Sequence, residues 1–149
     1  ELLYCFYCDS YVSKNAKHCR QCNRCTDGFD HHCRWFNNCV SKLNYKSFFI
    51  CLTTLEMYLI YQMCVLVMCL LTDIIDVSKH ILAEYLSLWV IKSMIILHLI
   101  LDLIVFIVMT QLFVFHLWLI FHNITTYDYV LGNHKEIIKQ NKKKYNIHI

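Results

Sequence analysis

Residues Cys19–Cys39 read CRQCNRCTDGFDHHCRWFNNC, and this stretch decides the fold. At its centre stands Asp30-His31-His32-Cys33. Around it, seven cysteines and three histidines fall between Cys5 and Cys39. Cys5, Cys8, His18 and Cys25 are spaced C-x2-C-x9-H-x6-C, and adding fourteen to each number gives Cys19, Cys22, His32 and Cys39 with the same spacing. Two interleaved sets of three cysteines and one histidine have the composition of closed, tetrahedral structural zinc sites. Grouping Cys5, Cys8, Cys19 and Cys22 on one ion would also satisfy zinc, but the repeat favours the first partition. It commits eight of the ten Cys and His residues and leaves Cys33 and His31, two positions apart. We read Cys33 as a reactive thiolate held in place by the metal ligands around it.

The remainder of the chain says where this module works. With 149 residues, 58% of them hydrophobic, the chain is too apolar for a soluble protein of its length. It opens at Glu1 with no signal-peptide pattern and is expected to be a piece of a longer protein. Residues 1–47 form the cysteine-rich module. It is short of apolar core, so metal binding supplies much of its folding free energy, and turns and short hairpins with little regular structure are expected. Residues 48–71 are a 24-residue apolar run, long enough to span a bilayer as a helix, interrupted by Glu56 and Gln62. A carboxyl at that depth should face another helix or a cavity rather than lipid. Cys51, Cys64 and Cys69 lack metal spacing and read as packing residues.

Residues 72–93 are a mixed loop, with Tyr85 and Trp89 as interfacial anchors. Residues 94–121 are a second span containing His98, Asp102, Gln111 and His116; His98 and Asp102, four apart on one helical face, read as a structural pair. Residues 122–149 are a polar tail whose Lys142–Lys144 run suits an anionic lipid surface. Lys and Arg number seven before the first span, two between the spans and five after the second. The positive-inside rule therefore places both ends in the cytosol and the loop in the lumen. In that reducing compartment free thiols persist, which argues against a disulfide framework. The fold class expected is an α-helical integral membrane protein with a small, irregular, zinc-stapled cytosolic module. A zinc-finger nucleic-acid binder fits poorly, since aromatics in the module are few and it is tethered to a membrane.

Asp30-His31-His32-Cys33, with the cysteine pattern before it and Trp35, Asn38-Cys39, Asn44 and Phe48 after it, resembles the DHHC-type protein S-acyltransferases (palmitoyltransferases). The likeness extends through both spans to Thr125-Thr126. GFDHHCRWFNNCV is most similar to the vertebrate zinc-finger DHHC members 1 and 11. The resemblance implies that the two ligand sets above bind zinc, that Cys33 is the acylated nucleophile, that His31 is its general base and that Asp30 orients that histidine. It implies that Thr125 and Thr126 pack near the acid and the histidine, with Asp128 standing where the family has Glu. Trp35 and Phe48 match residues near the mouth of the acyl tunnel, and Tyr58 is a candidate to close the tunnel and limit chain length. The co-substrate implied is acyl-CoA (palmitoyl-CoA). The partners implied are cysteine-containing, membrane-associated proteins and the bilayer, with no nucleic acid, in the endomembrane system (ER or Golgi). The family carries two further spans before the cysteine-rich domain, four in full length. A non-catalytic membrane adaptor, binding a protein partner through the zinc module, is the alternative.

Overall fold

The computed structural model describes residues 2–71 and 88–144. The cysteine-rich module is more regular than expected. It is three antiparallel hairpins: β1 (Leu2–Cys5) with β2 (Ser10–Ser13), β3 (Lys17–Cys19) with β4 (Arg24–Thr26), and β5 (Phe29–Cys33) with β6 (Asn38–Ser41). The fourteen-residue period governs all three. Their turns carry Asp9, Asn23 and Asn37 at φ 49°, 47° and 45°, a left-handed conformation that Asp and Asn tolerate better than most residues. Cys5-x2-Cys8 and Cys19-x2-Cys22 precede the first two of these turns; the third is preceded by Cys33-x2-Phe36. The third hairpin thus repeats the same turn with Phe36 where the first two have a second cysteine. Gly28, at φ 57°, links β4 to β5 where an added Cβ would sit 2.8 Å from Lys42 Cβ, and its carbonyl accepts from Lys42 N at 2.9 Å.

Four helices follow: α1 (Tyr45–Leu71), α2 (Leu88–His122), α3 (Thr126–Val130) and α4 (His134–Lys144). Helix α1 starts three residues before Phe48. Asn44 joins it to the hairpins: its amide donates to Cys39 O at 3.0 Å, its Oδ1 accepts from Ser41 N at 2.7 Å, and its carbonyl accepts from Phe48 N at 3.0 Å. Residues 88–93, expected in the loop, belong to α2. No Pro or Gly interrupts them, and Ser93 Oγ bonds back to Val90 O at 2.8 Å. Tyr85, expected as an interfacial anchor, lies outside the described residues with the rest of 72–87, as do the side chains of Lys142–Lys144.

Both α1 and the 34 residues Trp89–His122 are long and apolar enough to cross a membrane. At 1.5 Å per residue they measure about 40 and 50 Å, more than the ~30 Å hydrocarbon core. Their outward faces are apolar and exposed, as at Leu97, Ile100, Ile104 and Val108, which suits lipid rather than a soluble core.

The chain divides into two compact units. In the unit Cys51–Val114, α1 turns Leu52, Glu56 and Leu59 inward, and α2 turns Asp102 inward. Thr110 Oγ1 donates to Glu56, and the Gln62 amide nitrogen lies 2.6 Å from His98 Nε2. Glu56 therefore faces a helix, as its cost in lipid requires. His98 Nε2 is 3.5 Å from Asp102 Oδ2, so its nearer partner is Gln62. The other unit, Glu1–Ile50 with Phe115–Ile149, holds the hairpins, the ends of both long helices, α3 and α4. Phe29 packs edge-on against Tyr127 at 5.9 Å, fixing α3 on β5, while Asn141 Nδ2 donates to His122 O and Asn123 O at 3.1 Å each, closing α4 onto the end of α2.

Candidate metal clusters and active site

Two groups of side chains gather as the repeat suggests. The ligand atoms of Cys5, Cys8, His18 and Cys25 lie within 4.8 Å of one another, and so do those of Cys19, Cys22, His32 and Cys39. Within them, His18 Nδ1 is 3.8, 3.3 and 3.9 Å from the sulfurs of Cys5, Cys8 and Cys25. His32 Nδ1 is 3.6 and 3.3 Å from those of Cys19 and Cys22. A tetrahedral zinc ion with bonds of about 2.0–2.3 Å has ligand–ligand edges of roughly 3.4–3.8 Å, so each group has the dimensions of a metal site. Burial, and then the neighbouring thiols, push the Cys25 and Cys39 thiols up to about 12. Three sulfurs in such a space cannot all ionise unless a cation shares it, and a bound divalent cation inverts that preference. Either group could hold a metal ion. The grouping Cys5, Cys8, Cys19 and Cys22 is not what the fold assembles.

Cys33 and His31 belong to neither group. Strand alternation explains the separation. His32 pairs with Cys39 across β5–β6, and both serve the second group. Side chains of successive strand residues point to opposite faces, so His31 and Cys33 share the other face. Asp30 would by simple alternation join His32, but the register shifts between Phe29 and His31. That bulge inserts Asp30 as an extra residue and re-aims it. Its Oδ2 lies 2.7 Å from His31 Nδ1. Thr126, at the start of α3, donates to the same carboxylate twice, from N to Oδ1 at 2.9 Å and from Oγ1 to Oδ2 at 2.7 Å. Burial alone would push the Asp30 carboxyl up, but the bonds from His31 and Thr126 outweigh it and hold the group below its ordinary value. Asp30 is therefore an ionised, 4%-exposed acceptor that fixes one nitrogen of His31, leaving the other to accept a proton. Cys33 is itself 7% exposed.

The other predicted residues lie at varying distances from this centre. Thr125 caps α3 by accepting from Asp128 N at 3.1 Å, and donates to Asp128 Oδ2 at 2.6 Å. Phe48, 8% exposed, sets its ring edge-on to His31 at 5.2 Å. Trp35 is 91% exposed, and Tyr58 is an exposed residue of the other unit. Two residues of the centre escaped the sequence reading. His116 is 2% exposed, lies 5.6 Å from the His31 ring, and its Nδ1 is 2.9 Å from Tyr45 Oη. The available signal was the helical position of His116, fourteen residues after the inward-facing Asp102 on α2.

The sequence is similar to those of several known proteins. "Probable protein S-acyltransferase 20" of Arabidopsis thaliana is 42% identical over 62 residues, covering 42% of this chain and 9% of that protein. "Palmitoyltransferase ZDHHC9" of Danio rerio is 43% identical over 61 residues, 41% of this chain and 16% of the relative. "Palmitoyltransferase ZDHHC8" of Drosophila melanogaster is 38% identical over 66 residues, 43% of this chain and 7% of the relative. The chain thus spans under a fifth of the length of these relatives. The model of the DHHC palmitoyltransferase family matches residues 1–133, which takes in all three hairpins, both long helices and the Thr126–Asp30 contact. A match over that much of the sequence makes the chain a member of the DHHC palmitoyltransferase family.

Proposed function

We propose that the protein of which this chain is part is a membrane-bound protein S-acyltransferase that works by two thioester exchanges. The observation that carries the reading is the division of labour along β5: His32 serves a metal cluster, while Cys33 is left out of both clusters on the face it shares with His31. In the first step His31 takes the Cys33 thiol proton at its free nitrogen, the sulfur attacks the acyl-CoA carbonyl, and the CoA thiolate leaves and recovers the proton. In the second, a substrate cysteine passes its proton to His31 and attacks the Cys33 thioester, and Cys33 leaves as the thiol. Sulfur both attacks and leaves well, which suits exchange between thioesters of similar energy. Asp30 orients His31 and stabilises its charged form, as the acid does in other triads. Cys5, Cys8, His18 and Cys25, and Cys19, Cys22, His32 and Cys39, would each hold one structural zinc ion, which supplies no chemistry beyond fixing the hairpins.

The acyl chain accounts for the membrane helices, since each buried methylene is worth about 0.8 kcal/mol. We place the hairpins and both ends of the chain on the cytosolic side of the ER or Golgi, with two further spans in the full-length protein and Trp35, Phe48 and Tyr58 facing the acyl chain. The likeness to members 1 and 11 rests on the motif alone. The test is Cys33→Ser in the full-length protein. Hydroxylamine-labile labelling from palmitoyl-CoA should vanish while two zinc ions per chain remain. Labelling that persists moves the nucleophile elsewhere; a wild type that never labels but still recruits a protein partner makes the module an adaptor.

A further inference from the structure

We propose that His116, anchored by Tyr45, is a positioning residue for His31. This rests on the acyltransferase reading above and adds a component to it. The Asp30 bond fixes a single atom of the His31 imidazole, and about that bond the ring is free to rock. Two side chains limit the rocking: Phe48, edge-on at 5.2 Å and 75°, and His116, tilted at 5.6 Å and 41°. These two pack on each other at 4.9 Å. His116 is one of the two most completely buried large side chains among the described residues, and its Nδ1 sits 2.9 Å from Tyr45 Oη.

A buried imidazole is a costly way to fill space. A leucine or phenylalanine would fill it without an unsatisfied nitrogen, so the hydrogen bond is what histidine adds. Tyr45 opens α1 and Phe48 lies one turn on, while His116 is on α2 ten residues before Thr126. The segment from His116 to Thr126 therefore holds the pair from two sides, Thr126 on the carboxylate and His116 beside the imidazole. The Tyr45–His116 bond sets the angle at which the second hold is applied.

The experiment is single-turnover self-acylation of the zinc-loaded full-length protein with palmitoyl-CoA over a range of concentrations. Tyr45→Phe removes one oxygen and leaves the packing. It should lower the rate at saturating donor about tenfold, the scale of a small misplacement of a reacting group, with the half-saturating concentration unchanged within about twofold. His116→Phe should lose at least as much, and the double variant no more than His116→Phe alone, because both act through one bond. His116→Asn, which restores an acceptor, should recover part of the rate in the presence of Tyr45 and none in Tyr45→Phe. Full rate in Tyr45→Phe overturns the inference, as do independent, multiplicative losses or a change confined to the half-saturating concentration. If His116→Phe fails to fold, Tyr45→Phe still decides. A wild type that does not acylate is a different result and refutes the acyltransferase reading itself.

Discussion

Thr126→Val isolates the contact that joins the end of the membrane helices to the Asp-His pair. Valine keeps the shape of threonine and the backbone N–H, and removes only the Oγ1 donor that sits 2.7 Å from Asp30 Oδ2. Asp30 then keeps two of its three donors, Thr126 N and His31 Nδ1. Water cannot replace the third, because the residue is 4% exposed. A hydrogen bond to an ionised group contributes about 1.5–3 kcal/mol. If about half of that is expressed when His31 becomes positively charged, the acylation barrier rises by about 0.8–1.5 kcal/mol and the rate falls roughly four- to thirteenfold. The rest should appear as lost stability, since the same bond ties α3 to β5. The assay is the rate of hydroxylamine-labile labelling of the full-length protein from palmitoyl-CoA, alongside thermal unfolding in detergent. Thr126→Ser keeps the hydroxyl and should stay near the wild type. A Thr126→Val protein as fast as the wild type would refute the claim that this donor stabilises the acid that orients His31.

Other perturbations probe the remaining parts. Cys22→Ser should reduce bound zinc from two ions per chain to one, by elemental analysis, and abolish labelling although Cys33 is untouched, because its hairpin is held through His32 and Cys39. Gly28→Ala should cost about 1–3 kcal/mol of stability, read as a lower Tm: an L side chain is strained at φ 57° and its Cβ meets Lys42. Glu56→Gln should keep the bond from Thr110 and unfold in detergent like the wild type. Glu56→Lys should lose about 2.5–3.5 kcal/mol by placing a cation at bilayer depth.

The sequence made some of this legible, for physical reasons. Metal ligands are restricted in type and spacing, so a fourteen-residue shift was enough to separate Cys5, Cys8, His18 and Cys25 from Cys19, Cys22, His32 and Cys39. The third hairpin was hidden because Phe36 stands where a ligand would be; only Asp9, Asn23 and Asn37 betray it, and turn residues are weak signals alone. No Pro or Gly punctuates residues 88–93, so the sequence carries no mark that separates them from α2. The contact of Thr126 with Asp30 crosses 96 positions and that of Tyr45 with His116 crosses 71. No local pattern encodes such pairings; the first was expected through family resemblance and the second from nothing in the motif. Trp35 and Tyr58, expected at the acyl chain, are exposed in a chain that spans a small part of its relatives' length.

The most direct measurement is native mass spectrometry of the zinc-loaded full-length protein after exposure to palmitoyl-CoA, followed by mapping of the modified peptide. The account predicts one acyl group on Cys33 with both metal ions still bound. Acyl transfer to another cysteine, or a Cys33 sulfur found coordinated to one of the two ions, would contradict it.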